Sequence, residues 1–148
     1  MIRKTVTALF FIMVLTGIFV WYATSLRNVN PVTISYYHQL RDQLTVQGYQ
    51  PNVFVMSAKR AEWHNKLLTH FGAANKSQHL SGNAIDILVM DVNQDNNTNS
   101  LDVKIAKGIL ENIIKNDGGI GTYQSENIFW NKQMVHFDCR GYRARWNR

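Results

Sequence analysis

Ser77-Gln-His79-Leu-Ser-Gly82-Asn-Ala84-Ile-Asp86-Ile-Leu-Val-Met90 is a polar turn that runs into an apolar stretch, with a histidine ahead of that stretch and a carboxylate inside it. Residues 83–90 are dominated by Ile, Leu, Val and Met and predict a buried β-strand. A charged carboxylate in such a strand is costly unless it is paired or bound to a cation. A hydrogen-bonded structural aspartate would satisfy that demand, and so would a metal ligand. Imidazole nitrogen and carboxylate oxygen are both zinc donors, and a catalytic zinc takes three protein ligands with one position left open. His79 and Asp86 supply two such donors, and Met134-Val-His136-Phe-Asp138 offers a third.

Working outward, residues 52–57 (NVFVMS) alternate as a strand, and Arg60 comes just after them. Apolar residues at 34, 37, 40 and 44 predict a helix over 34–47 that stops at Gly48. Residues 62–71 predict a second amphipathic helix ending at Gly72, and 73–78 a polar loop. Residues 103–115 (VKIAKGILENIIK) predict a third helix. Residues 120–123 predict a short strand or turn, and 134–139 another strand, on which His136 and Asp138 would share a face because side chains alternate.

The chain has 148 residues, 45% of them hydrophobic and 18% charged, which suits one globular domain with a packed core. The net charge is +6. The basic excess is densest in the tail, at Arg140, Arg143, Arg145 and Arg148. Solvated surface charge is the first reading of that tail and attraction to an envelope polyanion the second; no nucleic-acid partner is expected. The lone Cys139 excludes an internal disulfide and a thiolate zinc cluster, and it reads as a small buried apolar residue.

Residues 5–26 (TVTALFFIMVLTGIFVWYATSL) carry no charged side chain and are long enough for one membrane-spanning helix. Arg3 and Lys4 precede them, which predicts a cytoplasmic N-terminus at 1–4 and export of the rest of the chain. Residues 23–25 are a poor cleavage site, so the segment is expected to remain as a signal-anchor. Residues 27–33, broken by Pro31, read as a linker, and 34–148 as the functional domain.

Between the two histidine-bearing stretches lies Asp91-Val-Asn93-Gln-Asp95-Asn-Asn97-Thr-Asn99-Ser-Leu-Asp102. Oxygen-bearing side chains at alternate positions and at the twelfth match the spacing of an EF-hand-type calcium loop. Asn96 stands where that loop has glycine, although Asn tolerates the left-handed conformation. Asp91, Asn93, Asp95, Asn97 and Asp102 are therefore candidate Ca2+ ligands, with an ordinary polar loop as the alternative.

Three stretches together resemble the zinc D-Ala-D-Ala peptidases of family M15, on the branch with a His-x-Asp ending. They are SxHxxGxAxDI (Ser77 to Ile87), Gly119-Ile-Gly-Thr-Tyr123, and Val135-His-Phe-Asp-Cys-Arg-Gly-Tyr-Arg-Ala-Arg-Trp146. Ser57-Ala-Lys-Arg60 through His64-Asn65 matches a further motif of that family, and the likeness covers about residues 34–146. It implies a small α+β domain, an antiparallel sheet with helices packed against it, the fold shared with hedgehog signalling domains. It also implies zinc held by His79, Asp86 and His136, with Arg60 positioning substrate or stabilising an oxyanion. Family relatives carry an acid three residues before the last histidine; here Gln133 stands there and cannot take a proton. Asp138 is the expected replacement as general base, or else the residue that orients His136; Glu126 is a remoter candidate for the base.

The implied activity is hydrolysis of D-amino-acid-containing bonds of peptidoglycan stem peptides or cross-links. The enzyme would be a monomer anchored in the bacterial cytoplasmic membrane, with its domain on the periplasmic side. An endopeptidase fits the branch better than a carboxypeptidase. A non-catalytic zinc- and calcium-stabilised binding module of the envelope is the alternative, favoured by Gln133.

Overall fold

The computed structural model describes residues 7, 10–17, 20, 26–70, 74–123 and 131–147. From residue 31 onward the elements are α1 (Pro31–Val46), β1 (Val53–Ser57), α2 (Glu62–Thr69), β2 (Ala84–Val89), α3 (Ser100–Ile114), β3 (Gly119–Thr122), a 3-10 turn (Asn131–Gln133), β4 (Met134–Asp138) and β5 (Ala144–Asn147). The expected helices and strands are all present within a few residues.

Two boundaries differ for clear reasons. Pro31 opens α1 instead of breaking a linker, because its missing N–H is no loss at the first helical position. The Asn30 side chain caps the helix by accepting from the Val32 amide at 3.0 Å. At the other end of the chain, the basic tail folds back as β5, an element its charge gave no reason to expect.

The strands form one sheet in the order β1-β2-β4-β3-β5. All pairs are antiparallel except β3 with β5, which run parallel. The sheet is therefore mixed, and the expectation of a purely antiparallel one is corrected by the tail strand. Ile85 and Ile87 of β2, Ile120 of β3, and Val135 and Phe137 of β4 are buried in one core with Leu40 and Leu44 of α1 and Ala106, Ile109, Leu110 and Ile114 of α3. The period of two then sends Asp86 and His136 to the opposite face.

Helix α3 begins in a capping box, in which the Asp102 carboxylate accepts from the Asn99 amide at 2.8 Å. Among the described residues no helix is long and apolar enough to cross a membrane. Residues 10–17 of the N-terminal apolar segment are helical, while much of the predicted span 5–26 lies outside the described residues.

Candidate metal centre

His79, Asp86 and His136 come together on the face of the sheet away from the core. They are 2%, 1% and 6% exposed. One donor atom from each lies within 4.8 Å of the other two, and among the described residues this is the group of His, Cys, Asp or Glu side chains able to hold an ion. Strand pairing sets part of this directly, since Asp86 of β2 stands opposite His136 of β4. Their side chains meet at 2.8 Å, from His136 Nδ1 to Asp86 Oδ1.

His79 arrives from the turn before β2, and that turn depends on Gly82. Gly82 has φ +76°, and a Cβ there would stand 2.3 Å from the Asn28 carbonyl oxygen. His79 Nε2 reaches 3.2 Å from both Asp86 Oδ2 and His136 Nδ1.

The ring orientations are set by what each histidine touches on its far side. His79 Nδ1–H donates to the Ala58 carbonyl at 2.6 Å, which directs the Nε2 lone pair at the shared space. Burial pulls the His79 pKa below the ordinary histidine value, which favours the neutral ring. His136 Nε2 faces Asp138 Oδ2 at 3.0 Å, so its Nδ1 is the donor turned inward.

Burial also acts to lower the His136 pKa, but the hydrogen bonds and charges of Asp138 and Asp86 outweigh it and raise the value. For Asp86 burial acts upward. The neighbouring His79 and His136, the latter bonded to it through Nδ1, overcome it and hold the carboxyl well below the usual range. Two inward-facing imidazole nitrogens and an ionised carboxylate, each braced from behind, are a donor set that fits a zinc-type cation.

Arg60 belongs to this centre. Its Nε donates to Ser57 Oγ at 2.8 Å, and a terminal nitrogen donates to Asp86 Oδ2. The Arg60 backbone N–H donates to the His79 carbonyl at 2.9 Å, so the segment after β1 braces the histidine turn as well. The register shift between Val55 and Ser57 comes immediately before that segment.

Asp138 does not fit the general-base role expected of it. It is fully buried and lies on the Nε2 side of His136, whereas the space shared by the three donors is at Nδ1. Its Oδ1 accepts from the Gly119 amide at 3.0 Å, the Arg140 amide at 3.1 Å and Arg140 Nε at 2.8 Å. Its Oδ2 accepts from Arg140 at 2.5 Å in addition to His136. Burial would raise its pKa, but Arg140 and His136 hold it far below the usual carboxylate range. What this arrangement does is aim a ring. Glu126 lies outside the described residues.

The oxygen-rich loop gains no support as a calcium site. Asp91 accepts from the Asp95 and Asn96 amides at 3.2 and 2.9 Å, and Asp95 Oδ1 accepts from the Asn97 amide at 2.8 Å. Asn93 Oδ1 accepts from the Asp95 amide at 3.2 Å, and its Nδ2 donates to Asp95 Oδ2 at 2.9 Å. Asp102 is fully buried and bonds the Val92 amide at 2.9 Å as well as capping α3. Asn97 takes part through its backbone, whose carbonyl accepts from Asn99 at 3.0 Å. The loop's own N–H groups thus bond the side-chain oxygens of Asp91, Asn93, Asp95 and Asp102.

Arg140 and Trp146 are the neighbours that sequence reading missed, because the composition of the tail reads as solvated charge. The Arg140 guanidinium lies 5.1 Å from the Trp146 ring centroid and 5.6 Å from that of Tyr142. Cys139 is partly buried, and Thr33 Oγ1 donates to its sulfur at 3.1 Å.

Two buried histidines and a buried aspartate, gathered on the face of a small α+β sheet away from its core, form a donor set of the kind that could hold a zinc-type ion. A family model described as Peptidase M15 matches residues 22–126, well over half of the chain, and the chain belongs to that family. The matched stretch holds Arg60, His79 and Asp86; the fold supplies His136 from beyond it. Among solved structures, the crystal structure of Serratia marcescens L-Ala D-Glu endopeptidase ChiX is similar at 15% identity and a TM-score of 0.46, covering 79% of this chain and 84% of that one. No curated protein matches.

Proposed function

We propose that the chain is a zinc-dependent peptidase that hydrolyses D-amino-acid-containing peptide bonds of peptidoglycan stem peptides or cross-links. Residues 5–26 tether it to the cytoplasmic membrane, with the domain on the outer side. The observation that carries the reading is the convergence of His79 Nε2, Asp86 and His136 Nδ1, all buried, within 4.8 Å of one another. Membership of the peptidase family supplies the reaction class, and the family likeness of the His79, Asp86 and His136 motifs supplies the substrate class.

His79, Asp86 and His136 would hold the ion, which when bound supplies Lewis-acid polarisation of a carbonyl and activation of water near neutral pH. The protein's own contribution is orientation and charge. Ala58 and Asp138 hold the two rings in orientation, which lessens the rearrangement that binding an ion would demand. Arg60, held by Ser57 and Asp86, brings a fixed positive charge to the edge of the centre. There it offsets negative charge that develops on the scissile carbonyl oxygen. Asp138 serves the reaction through His136 and not as proton acceptor.

The test is incubation of the purified chain with isolated peptidoglycan and with a synthetic stem pentapeptide, L-Ala–γ-D-Glu–L-Lys–D-Ala–D-Ala, with and without a zinc chelator. Chelator-sensitive release of fragments is expected, and their masses identify the bond cut. Tight zinc binding without any fragment release would favour a non-catalytic envelope-binding module instead, a reading consistent with Gln133 standing where relatives carry an acid.

A further inference from the structure

Trp146 ends a row of paired residues, Asp86, His136, Gly121 and Trp146, that crosses β2, β4, β3 and β5. Neighbouring strands are about 4.8 Å apart, so the backbones of His136 and Trp146, two strands apart, are separated by roughly 9.6 Å. Their ring centroids are only 5.1 Å apart. The indole therefore leans inward across Gly121, where a Cβ would stand 2.2 Å from its Cε2 and Nε1. Glycine at 121 is what allows this approach.

The indole is not core packing. It is only half-buried and has no place in the apolar cluster between sheet and helices. It is nonetheless held firmly, with Gly121 beneath it and the Arg140 guanidinium stacked at 5.1 Å. Arg140 in turn is tied to Asp138, the residue that aims His136. Arg60 bounds the metal centre at Asp86, toward β1, and Trp146 bounds it at His136, toward β5.

We propose that Trp146 forms the β5-side wall of the substrate cleft and is a specificity-determining residue, packing a methyl-sized side chain of the residue flanking the scissile bond. The inference rests on the peptidase reading above. The half-buried indole, centred 5.1 Å from the His136 ring, offers an apolar edge beside the centre, against which, on this proposal, an alanine methyl packs and a branched side chain is crowded.

The test compares the full chain with Trp146→Ala, Trp146→Phe and Gly121→Ala, using the stem pentapeptide above and the same peptide with valine replacing each alanine. Calorimetry on metal-free protein reads peptide binding apart from turnover, and KM, kcat and zinc content are measured on loaded enzyme. Trp146→Ala is expected to weaken binding and raise KM for the alanine peptide about tenfold, with kcat within about twofold and zinc content unchanged. It should also lose most of the preference for alanine over valine. Trp146→Phe should restore KM to within about threefold of the unsubstituted chain.

Unchanged KM and preference in Trp146→Ala would overturn the proposal. Loss of zinc would overturn it too, since the indole would then serve only to hold His136. If Trp146→Ala fails to fold, Gly121→Ala, which pushes the indole off its floor, decides by the same criteria. An unsubstituted chain that binds the peptide without cutting it sinks the peptidase reading alone, and Trp146 is then judged on binding. One that neither binds nor cuts sinks both.

Discussion

Asp138 and His136 together suggest how a residue two positions from a proposed metal donor can act through that donor's ring. The carboxylate accepts from Gly119, Arg140 and His136 at once, and the imidazole it faces turns its other nitrogen inward. Asp138→Asn removes the charge that favours this orientation. Zinc affinity is expected to fall about 10–100-fold, measured by competition with a chromophoric chelator, and excess zinc should restore most of the activity. A general base would instead leave affinity intact and abolish turnover.

His136 also sets a pH dependence. Its pKa in the metal-free protein is raised because Asp138 and Asp86 outweigh burial, so a proton competes for Nδ1 to pH values above the ordinary histidine range. Ligand histidines must lose that proton to bind metal. Zinc affinity should therefore rise with pH through and beyond about 6.5, the ordinary histidine value, and weaken steadily below it. A flat affinity between pH 5 and 8, on the order of the normal histidine range, would contradict this.

Element-scale effects centre on α3 and the strand that docks against its end. Glu111 takes Arg145 Nε at 2.7 Å and Arg143 at 3.1 Å, while Arg145 also donates to the Lys115 and Gly118 carbonyls at 2.7 Å each. These bonds tie β5, and with it Trp146, to the C-terminus of α3. Burial would raise the Glu111 pKa, but hydrogen bonds from the two arginines lower it. A carboxylate whose folded pKa is depressed stabilises the fold above its unfolded value of about 4.3 and loses that contribution as pH falls through the folded value. Glu111→Gln should thus cost about 0.5–1 kcal/mol at pH 7 by urea denaturation. The difference from the unsubstituted chain should vanish in strong acid.

At the start of the same helix, Asp102→Ala strands the amides of Val92 and Asn99 and should cost about 2–3 kcal/mol. Added calcium is expected to leave the melting temperature of the unsubstituted chain unchanged. A rise of several degrees would revive the loop as a cation site.

For the whole molecule, the centre gathers donors from a turn and two strands, so an ion held there links distant parts of the chain. Zinc at about 100 times its Kd should add about 2.7 kcal/mol of stability, read as a rise in melting temperature that a chelator reverses. Replacing His79 or Asp86 by alanine should remove both that rise and any fragment release. A zinc-independent melting temperature would place the ion elsewhere.

Much of this arrangement was legible residue by residue. The apolar run around Asp86 announced a buried strand with an unexplained charge, and the period of two put His136 on a face of its own strand that the core residues Val135 and Phe137 do not share. The loop oxygens were not decisive, because Asx-rich turns and calcium loops share one composition. The tail misled because a four-residue strand of Ala, Arg, Trp and Asn has no hydrophobic period to read; only its parallel pairing with β3 makes it a strand.

The sequence by itself determined the donor types, the order of elements and the faces on which side chains fall, since these depend on local chemistry and on the fixed geometry of helix and strand. Tertiary structure alone decided which nitrogen of each histidine faces inward, that Asp138 aims a ring, and that an indole lies over Gly121. Those outcomes depend on contacts between residues far apart in the chain, such as His79 with Ala58 and Gly121 with Trp146, and no local pattern encodes the meeting of such partners.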